Sequence, residues 1–139
     1  MKTSKKTQLV FLVDQAVQLV EQDGENAFAE LRGSSWVHND SYIFVWRIDG
    51  IRVVYPPDPS GEGKNMTGLV DSAGKPIGKL FIQTAEKGSG WVDYMWPKPG
   101  ETVPSLKITY IKKGPVSESN LSSGIWGLYL IIPHLDSTF

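Results

Sequence analysis

The chain contains no cysteine and only two histidines. The first absence excludes a disulfide framework, thiolate metal sites, iron–sulfur clusters and a cysteine nucleophile. The second leaves little material for a transition-metal centre, since His38 and His134 stand far apart and in no metal-ligand spacing. No metal and no cofactor are expected. A charge excess is also lacking: fourteen Lys and Arg face fifteen Asp and Glu, for a formal charge of -1. Nucleic-acid binders usually carry a basic excess on one face, so no nucleic-acid partner is expected.

Long apolar runs are missing as well. No segment approaches the roughly eighteen apolar residues of a transmembrane helix. The stretch Leu9 to Val13 after the basic N-terminus is too short for a signal-peptide core, and Asp14 interrupts it. The chain is therefore expected not to insert into a membrane. It reads as cytoplasmic as written, or as periplasmic or extracellular if trimmed from an anchor. Its 139 residues are the length of one domain, and no repeat, low-complexity stretch or linker divides residues 1–139.

Residues 1–32 have the period of one amphipathic helix, with Leu9, Leu12, Val13, Ala16, Val17, Leu19, Val20, Ala27, Phe28 and Leu31 near 3.6 spacing. Ser4 or Thr7 is its candidate cap, Gly24 the place for a kink or break, and Gly33 its stop. From Ser41 the period becomes that of strands. Ser41 to Ile48, Asp49-Gly50 and Ile51 to Tyr55 predict a hairpin with a two-residue type I′ turn. Pro56, Pro57 and Pro59 confine the second strand to a sheet edge. Asp58 to Gly74 is loop, with Gly61-Glu62-Gly63-Lys64 too short for a phosphate-binding loop, and Pro76 opens a short helix striped by Ile77, Leu80, Phe81, Thr84 and Ala85. A second hairpin spans residues 90–111, and a last strand spans residues 125–132. The economical assembly is α+β, with an antiparallel sheet core over residues 41–132.

Nucleophile and metal signatures are weak. Residues 38–40 read as a polar turn, and Ser34-Ser35 and Ser122-Ser123 as loop or cap residues. The aromatics are more informative, because eight of the fifteen fall in the windows 41–55 and 90–110. Alternation puts Tyr42, Phe44 and Trp46 on one sheet face, and Tyr94 with Trp96 on one face. Such residues, with Lys107 and Thr109 on a neighbouring strand, suit either a bulky core or a pocket with apolar walls and a few polar handles.

The ordered runs Tyr42-Ile43-Phe44-Val45-Trp46, Asp49-Gly50, Val54-Tyr55-Pro56, Gly63-Lys64-Asn65 and Asp71-Ser72-Ala73-Gly74-Lys75 resemble the single Cache domain, the PAS-like sensor module of chemoreceptors and sensor kinases. Gly88 to Pro97, Pro104 to Lys107, Tyr110 and Trp126 to Tyr129 continue the resemblance through the second half. It implies a long N-terminal helix on a five-stranded antiparallel sheet, with a loop and short helix closing a pocket for a small ligand. Carried onto this sequence, the ligand-binding residues are Phe44, Trp46, Tyr55, Trp91, Tyr94, Trp96, Lys107 and Tyr110. Tyr55 departs from the family, many of whose members have histidine before the proline.

The chain thus reads as a free-standing, non-catalytic sensor for a small organic acid or amino acid, acting in signal transduction. A homodimer through the N-terminal helix and a signalling partner protein are compatible with this reading. The alternatives are a helix-mediated dimerising scaffold without a ligand, motivated by the breadth of the helix's apolar surface, and a small α+β enzyme. Asp93 is the acid within the strand over residues 90–96, and alternation turns it away from Tyr94 and Trp96.

Overall fold

A computed structural model describes residues 5–37, 42–98, 100–116 and 125–131. Ser4, His38, Asn39, Asp40, Ser122, Ser123 and His134, all singled out in the sequence, lie outside the described residues. The N-terminal segment forms two helices, α1 (Lys5–Asp23) and α2 (Asn26–Leu31). Gly24 separates them in the left-handed region, at φ 58, with open space around the position of a Cβ. Its glycine is therefore needed for backbone conformation and not for packing. Thr7 lies inside α1 and does not cap it. Gly33 ends the segment with an ordinary φ of -79, its N–H donating to the Glu30 carbonyl.

The strands are β1 (Tyr42–Arg47), β2 (Arg52–Val54), β3 (Ser89–Pro97), β4 (Pro104–Val116) and β5 (Ile125–Ile131). They form one antiparallel sheet in the order β2-β1-β5-β4-β3, which puts β2 on an edge as its prolines require. The first hairpin departs from the two-residue expectation. Gly50 N–H donates to the Arg47 carbonyl (2.9 Å) and Arg47 N–H to the Ile51 carbonyl (2.8 Å), which closes a three-residue loop. Gly50 takes φ 95, and a Cβ there would stand 2.3 Å from Thr67 Cγ2.

The exposed edge of β2 is covered. Arg52 N–H donates to the Lys64 carbonyl (2.9 Å), Gly63 N–H to Arg52 (2.6 Å) and Met66 N–H to Gly50 (2.7 Å). The loop after β2 thus takes up edge hydrogen bonds that would otherwise invite pairing with another chain.

Both sheet faces carry a core. On one face Leu9, Val13, Ala16, Val17 and Val20 of α1, with Ala27, Phe28 and Leu31 of α2, pack against Ile43, Val45, Val54 and Ile108. On the other, helix α3 (Ile77–Glu86) sets Ile77, Phe81 and Ala85 against Tyr42, Phe44, Trp46, Val92, Tyr94 and Ile111. Each such large apolar side chain contributes roughly 1.5–3 kcal/mol when fully buried. Strand β1 therefore has both faces covered, and all its residues but Arg47 are buried.

Two contacts fix α3 over its face. Gly78 lies so close to the preceding loop that a Cβ would stand 2.1 Å from the Met66 carbonyl oxygen. Asp71 accepts from Ala73 and Lys75 N–H through Oδ1 (2.9 and 2.8 Å) and from Met95 N–H of β3 through Oδ2 (2.9 Å).

Gly78→Ala should destabilise the fold by about 1–3 kcal/mol in urea unfolding, an overpacking cost that outweighs the usual helix gain of about 1 kcal/mol. A stabilised variant would show that α3 is not held so closely. The Met95 N–H bond, supported by those from Lys75 and Ala73, holds the Asp71 carboxyl below its ordinary value of 3.8. That contribution is complete above the unfolded-state pKa and disappears as pH falls through the lower folded value. Asp71→Asn should therefore lower the thermal midpoint at neutral pH and flatten its decline on acidification, as a midpoint series against pH would record.

Candidate functional site

The face of the sheet beneath α3 contains a small cavity of about 20 Å³, room for a water-sized group. Its walls are Tyr42, Phe44 and Trp46 of β1, Tyr94 and Trp96 of β3, Phe81 and Ile77 of α3, Leu69, Tyr55 and Arg52. The rings meet in tilted and edge-on pairs, with Trp46 and Phe81 centroids 5.1 Å apart and Phe81 and Tyr94 5.2 Å apart. An open recess of about 330 Å³ adjoins it, lined by Tyr42, Tyr55, Trp96, Pro57, Asp58, Lys98 and Glu101 among others. Tyr42, Tyr55 and Trp96 line both spaces and form the partition between them.

One cation, Arg52, lines the cavity, and a second, Lys107, stands against its wall. Lys107, 1% exposed, donates from Nζ to Tyr42 Oη (3.0 Å), with Nζ 5.0 Å from the Tyr42 ring centroid and 5.9 Å from that of Trp96. Arg52, 7% exposed, stacks its guanidinium 3.9 Å from the Tyr55 ring centroid. Its buried Nε has no hydrogen-bond partner, and among the described residues no carboxylate pairs with it. Burial accordingly lowers the Arg52 pKa from its ordinary value. Burial, reinforced by Tyr55 and Tyr94, raises the Tyr42 phenol well above its ordinary value, and burial likewise raises Tyr94, whose hydroxyl bonds Thr109 Oγ1 at 2.7 Å. Tyr42 and Tyr94 are thus neutral donors and acceptors at neutral pH.

A β-bulge puts Arg52 there. Val45 pairs with Val54 and Trp46 with Arg52, so one extra residue, Val53, is inserted between the two pairs. Val53 and Val54 both pack toward the helices, while Arg52 turns to the opposite face with Trp46. Strict alternation would align Arg52 with Val54, which is why sequence reasoning missed it. A lone cation in the β-branched run before three prolines was the available signal.

Of the eight residues predicted from the sequence, Phe44, Trp46, Tyr55, Tyr94 and Trp96 line the cavity, and Lys107 meets its Tyr42 wall. Trp91 and Tyr110 are a correction in placement. They stack on each other at 4.9 Å on the opposite face, against the core under α1. Parity explains it, since Trp91 is an odd number of residues from Tyr94 and pairs across the sheet with Tyr110. Among the described residues no group of acidic or histidine side chains is arranged to hold a metal.

A family model described as "Cache domain" matches residues 11–127. Over 72 residues, 52% of the chain, the sequence is 32% identical to the sensor histidine kinase MctS of Rhizobium johnstonii. That match spans 16% of the kinase. A solved periplasmic sensor domain of a chemotaxis protein superposes with a TM-score of 0.77 at 28% identity, covering 94% of each chain. A Cache chemosensory domain solved to explain carboxylic acid recognition superposes with a TM-score of 0.75 at 22% identity, covering 95% of this chain and 94% of that one. The PAS-like α+β fold expected from the sequence is therefore the fold of these domains. The cytoplasmic expectation gains no support, because the 28% identical domain is a periplasmic one. No helix among the described residues is long and apolar enough to cross a membrane.

A buried cation without an acidic partner costs stability, and an apolar residue of similar volume removes that cost. Arg52→Met should therefore leave the unliganded fold equally stable or more stable by about 1 kcal/mol in urea unfolding, net of the lost Tyr55 stacking. A loss of more than that would make Arg52 a structural residue.

Proposed function

We propose, for a chain that belongs to the Cache domain family, a non-catalytic role as a sensor domain that holds a short organic acid between its sheet and α3. One observation carries this reading: Arg52 is buried in an aromatic cavity with its Nε unpartnered. A carboxylate is the partner such a site lacks, because it accepts bidentate, charge-assisted bonds from a guanidinium. Lys107 and the hydroxyls of Tyr42 and Tyr55 supply further polar contacts. The volume limits the ligand: about 20 Å³ inside takes the small head group, and the rest extends past Tyr55 and Trp96 into the recess. A two- or three-carbon monocarboxylate fits this volume, and among the described residues no acidic side chain lines the inner cavity.

The relatives support this reading through their roles as a histidine kinase and chemotaxis sensor domains, and one of them through its recognition of a carboxylic acid. By the same analogy the domain works on the periplasmic or extracellular side of a membrane and passes its signal to an output protein. The scaffold alternative is weakened, because Leu9, Val13, Ala16, Val17 and Val20 of α1 are buried in the core shared with α2 and the sheet, with Leu12 and Leu19 partly buried against it. Phe11, 63% exposed, is left as the large outward apolar residue of that helix. The enzyme alternative is similarly weakened, since Asp93 is exposed and bonded to Lys75 at 3.0 Å, away from the cavity.

Propionate at 100 times its dissociation constant should stabilise the protein by about 2.7 kcal/mol in thermal unfolding. Propionamide, of nearly the same shape without the charge, should give almost none of this, and Arg52→Met should abolish the propionate response. Equal responses to acid and amide would contradict the assignment of Arg52.

A further inference from the structure

The two residues that turn toward the ligand from β2 and its end, Arg52 and Tyr55, are held by a pair of side chains that do not themselves line the cavity. Arg32, at the end of α2, reaches around the sheet edge. Its Nε donates to both carboxylate oxygens of Glu62 (3.2 and 3.1 Å) and its Nη2 to Glu62 Oε1 (3.0 Å). The same Nη2 donates to the Val53 carbonyl (3.0 Å), the residue whose insertion makes the bulge. On its other side Glu62 Oε2 accepts the Tyr55 backbone N–H (2.9 Å). The next residue along, Gly63, donates to the Arg52 carbonyl (2.6 Å).

The bulge is what aims Arg52 into the cavity, and the Tyr55 ring is what its guanidinium stacks on. One ion pair therefore fixes the backbone of both, from the helix side of the sheet. An exposed ion pair by itself contributes little to stability. Here the pair also satisfies a backbone acceptor on an edge strand only three residues long and a backbone donor one residue past its end. Gly61 completes the arrangement, because a Cβ there would stand 2.9 Å from an Arg52 guanidinium nitrogen. The segment 61–63 is thus shaped around Arg52 as well as bonded to it.

We propose that Arg32 and Glu62 are positioning residues for the ligand site, setting the bulge and the Tyr55 backbone so that Arg52 lines the cavity. The proposal rests on the reading of that cavity as a carboxylate site. It also assigns the helix layer a direct hold on the ligand-facing edge of the sheet.

The test compares Glu62→Ala with the exchanged pair, Arg32→Glu together with Glu62→Arg, in the full chain. The exchange restores the ion pair but supplies no acceptor for Tyr55 N–H and no donor for the Val53 carbonyl. Two readouts are taken: hydrogen exchange at the Tyr55 amide, which needs no ligand, and the affinity for propionate. Both variants should lose Tyr55 protection and bind propionate about tenfold more weakly, the loss expected from one charge-assisted contact out of place. The unfolding midpoint should stay below that of the wild type in both variants, since the restored ion pair contributes little by itself. Restoration of protection and affinity by the exchanged pair would reduce Arg32 and Glu62 to an ordinary ion pair and overturn the proposal. If the wild-type protein does not bind propionate, the carboxylate reading fails by that result. The amide readout then decides separately, and unchanged Tyr55 protection in Glu62→Ala would overturn the positioning role.

Discussion

A guanidinium kept out of water sets the terms for the structure around it. Desolvating Arg52 without a carboxylate partner is unfavourable, and the surroundings offset only part of that cost. The Tyr55 ring offers its π-face to the cation at 3.9 Å. The bulge at Val53 lets Arg52 leave the helix-side core while Val54 remains in it. Gly61 leaves room for the guanidinium, and the loop after β2 bonds to both the N–H and the carbonyl of Arg52. What is left over, an unpartnered Nε in an aromatic cavity, is a capacity for binding. Uncompensated groups of this kind are expected where a protein trades stability for function.

The sheet divides the molecule into two jobs. On one face α1 and α2 bury an aliphatic core, in which side chains from both helices fit against β1 and β4. On the other face the side chains are larger, more aromatic and tipped with hydroxyls, and they form a core that leaves a space of about 20 Å³. Rings suit that task because they are rigid and present polar tips at fixed positions. Helix α3 closes the space, held by the tight approach at Gly78 and by the three N–H groups on Asp71. The faces meet at the β2 edge, where Arg32 from the helix layer bonds Glu62 and Val53.

Much of this was legible in the residues wherever local rules govern. Tyr42, Phe44 and Trp46 share a face because β1 is regular, and period two then holds without correction. The edge position of β2 followed from Pro56, Pro57 and Pro59, and the start of α3 from Pro76. The reading failed where geometry is not local. Alternation across the bulge hid Arg52, which is the residue the site depends on most. Trp91 and Tyr110 came to the site list through the family resemblance, and by parity they pack under α1. The insertion of β5 between β1 and β4 is a long-range pairing that no local pattern encodes. Lys107 was named from its strand and from the family resemblance, and in the fold it pairs directly with Tyr94.

The most direct measurement of the central claim is a ¹⁵N NMR titration of the arginine Nε–H groups with sodium propionate. Arg47 serves as an internal control, since its Nε is also buried without a partner but lies by the first hairpin, where its guanidinium pairs with Asp49. The account predicts that the Arg52 Nε–H resonance moves to a saturating limit, with the sign and size of a new hydrogen bond, while that of Arg47 stays in place. Saturable binding that leaves Arg52 unmoved, or no saturable change at any arginine, would contradict it.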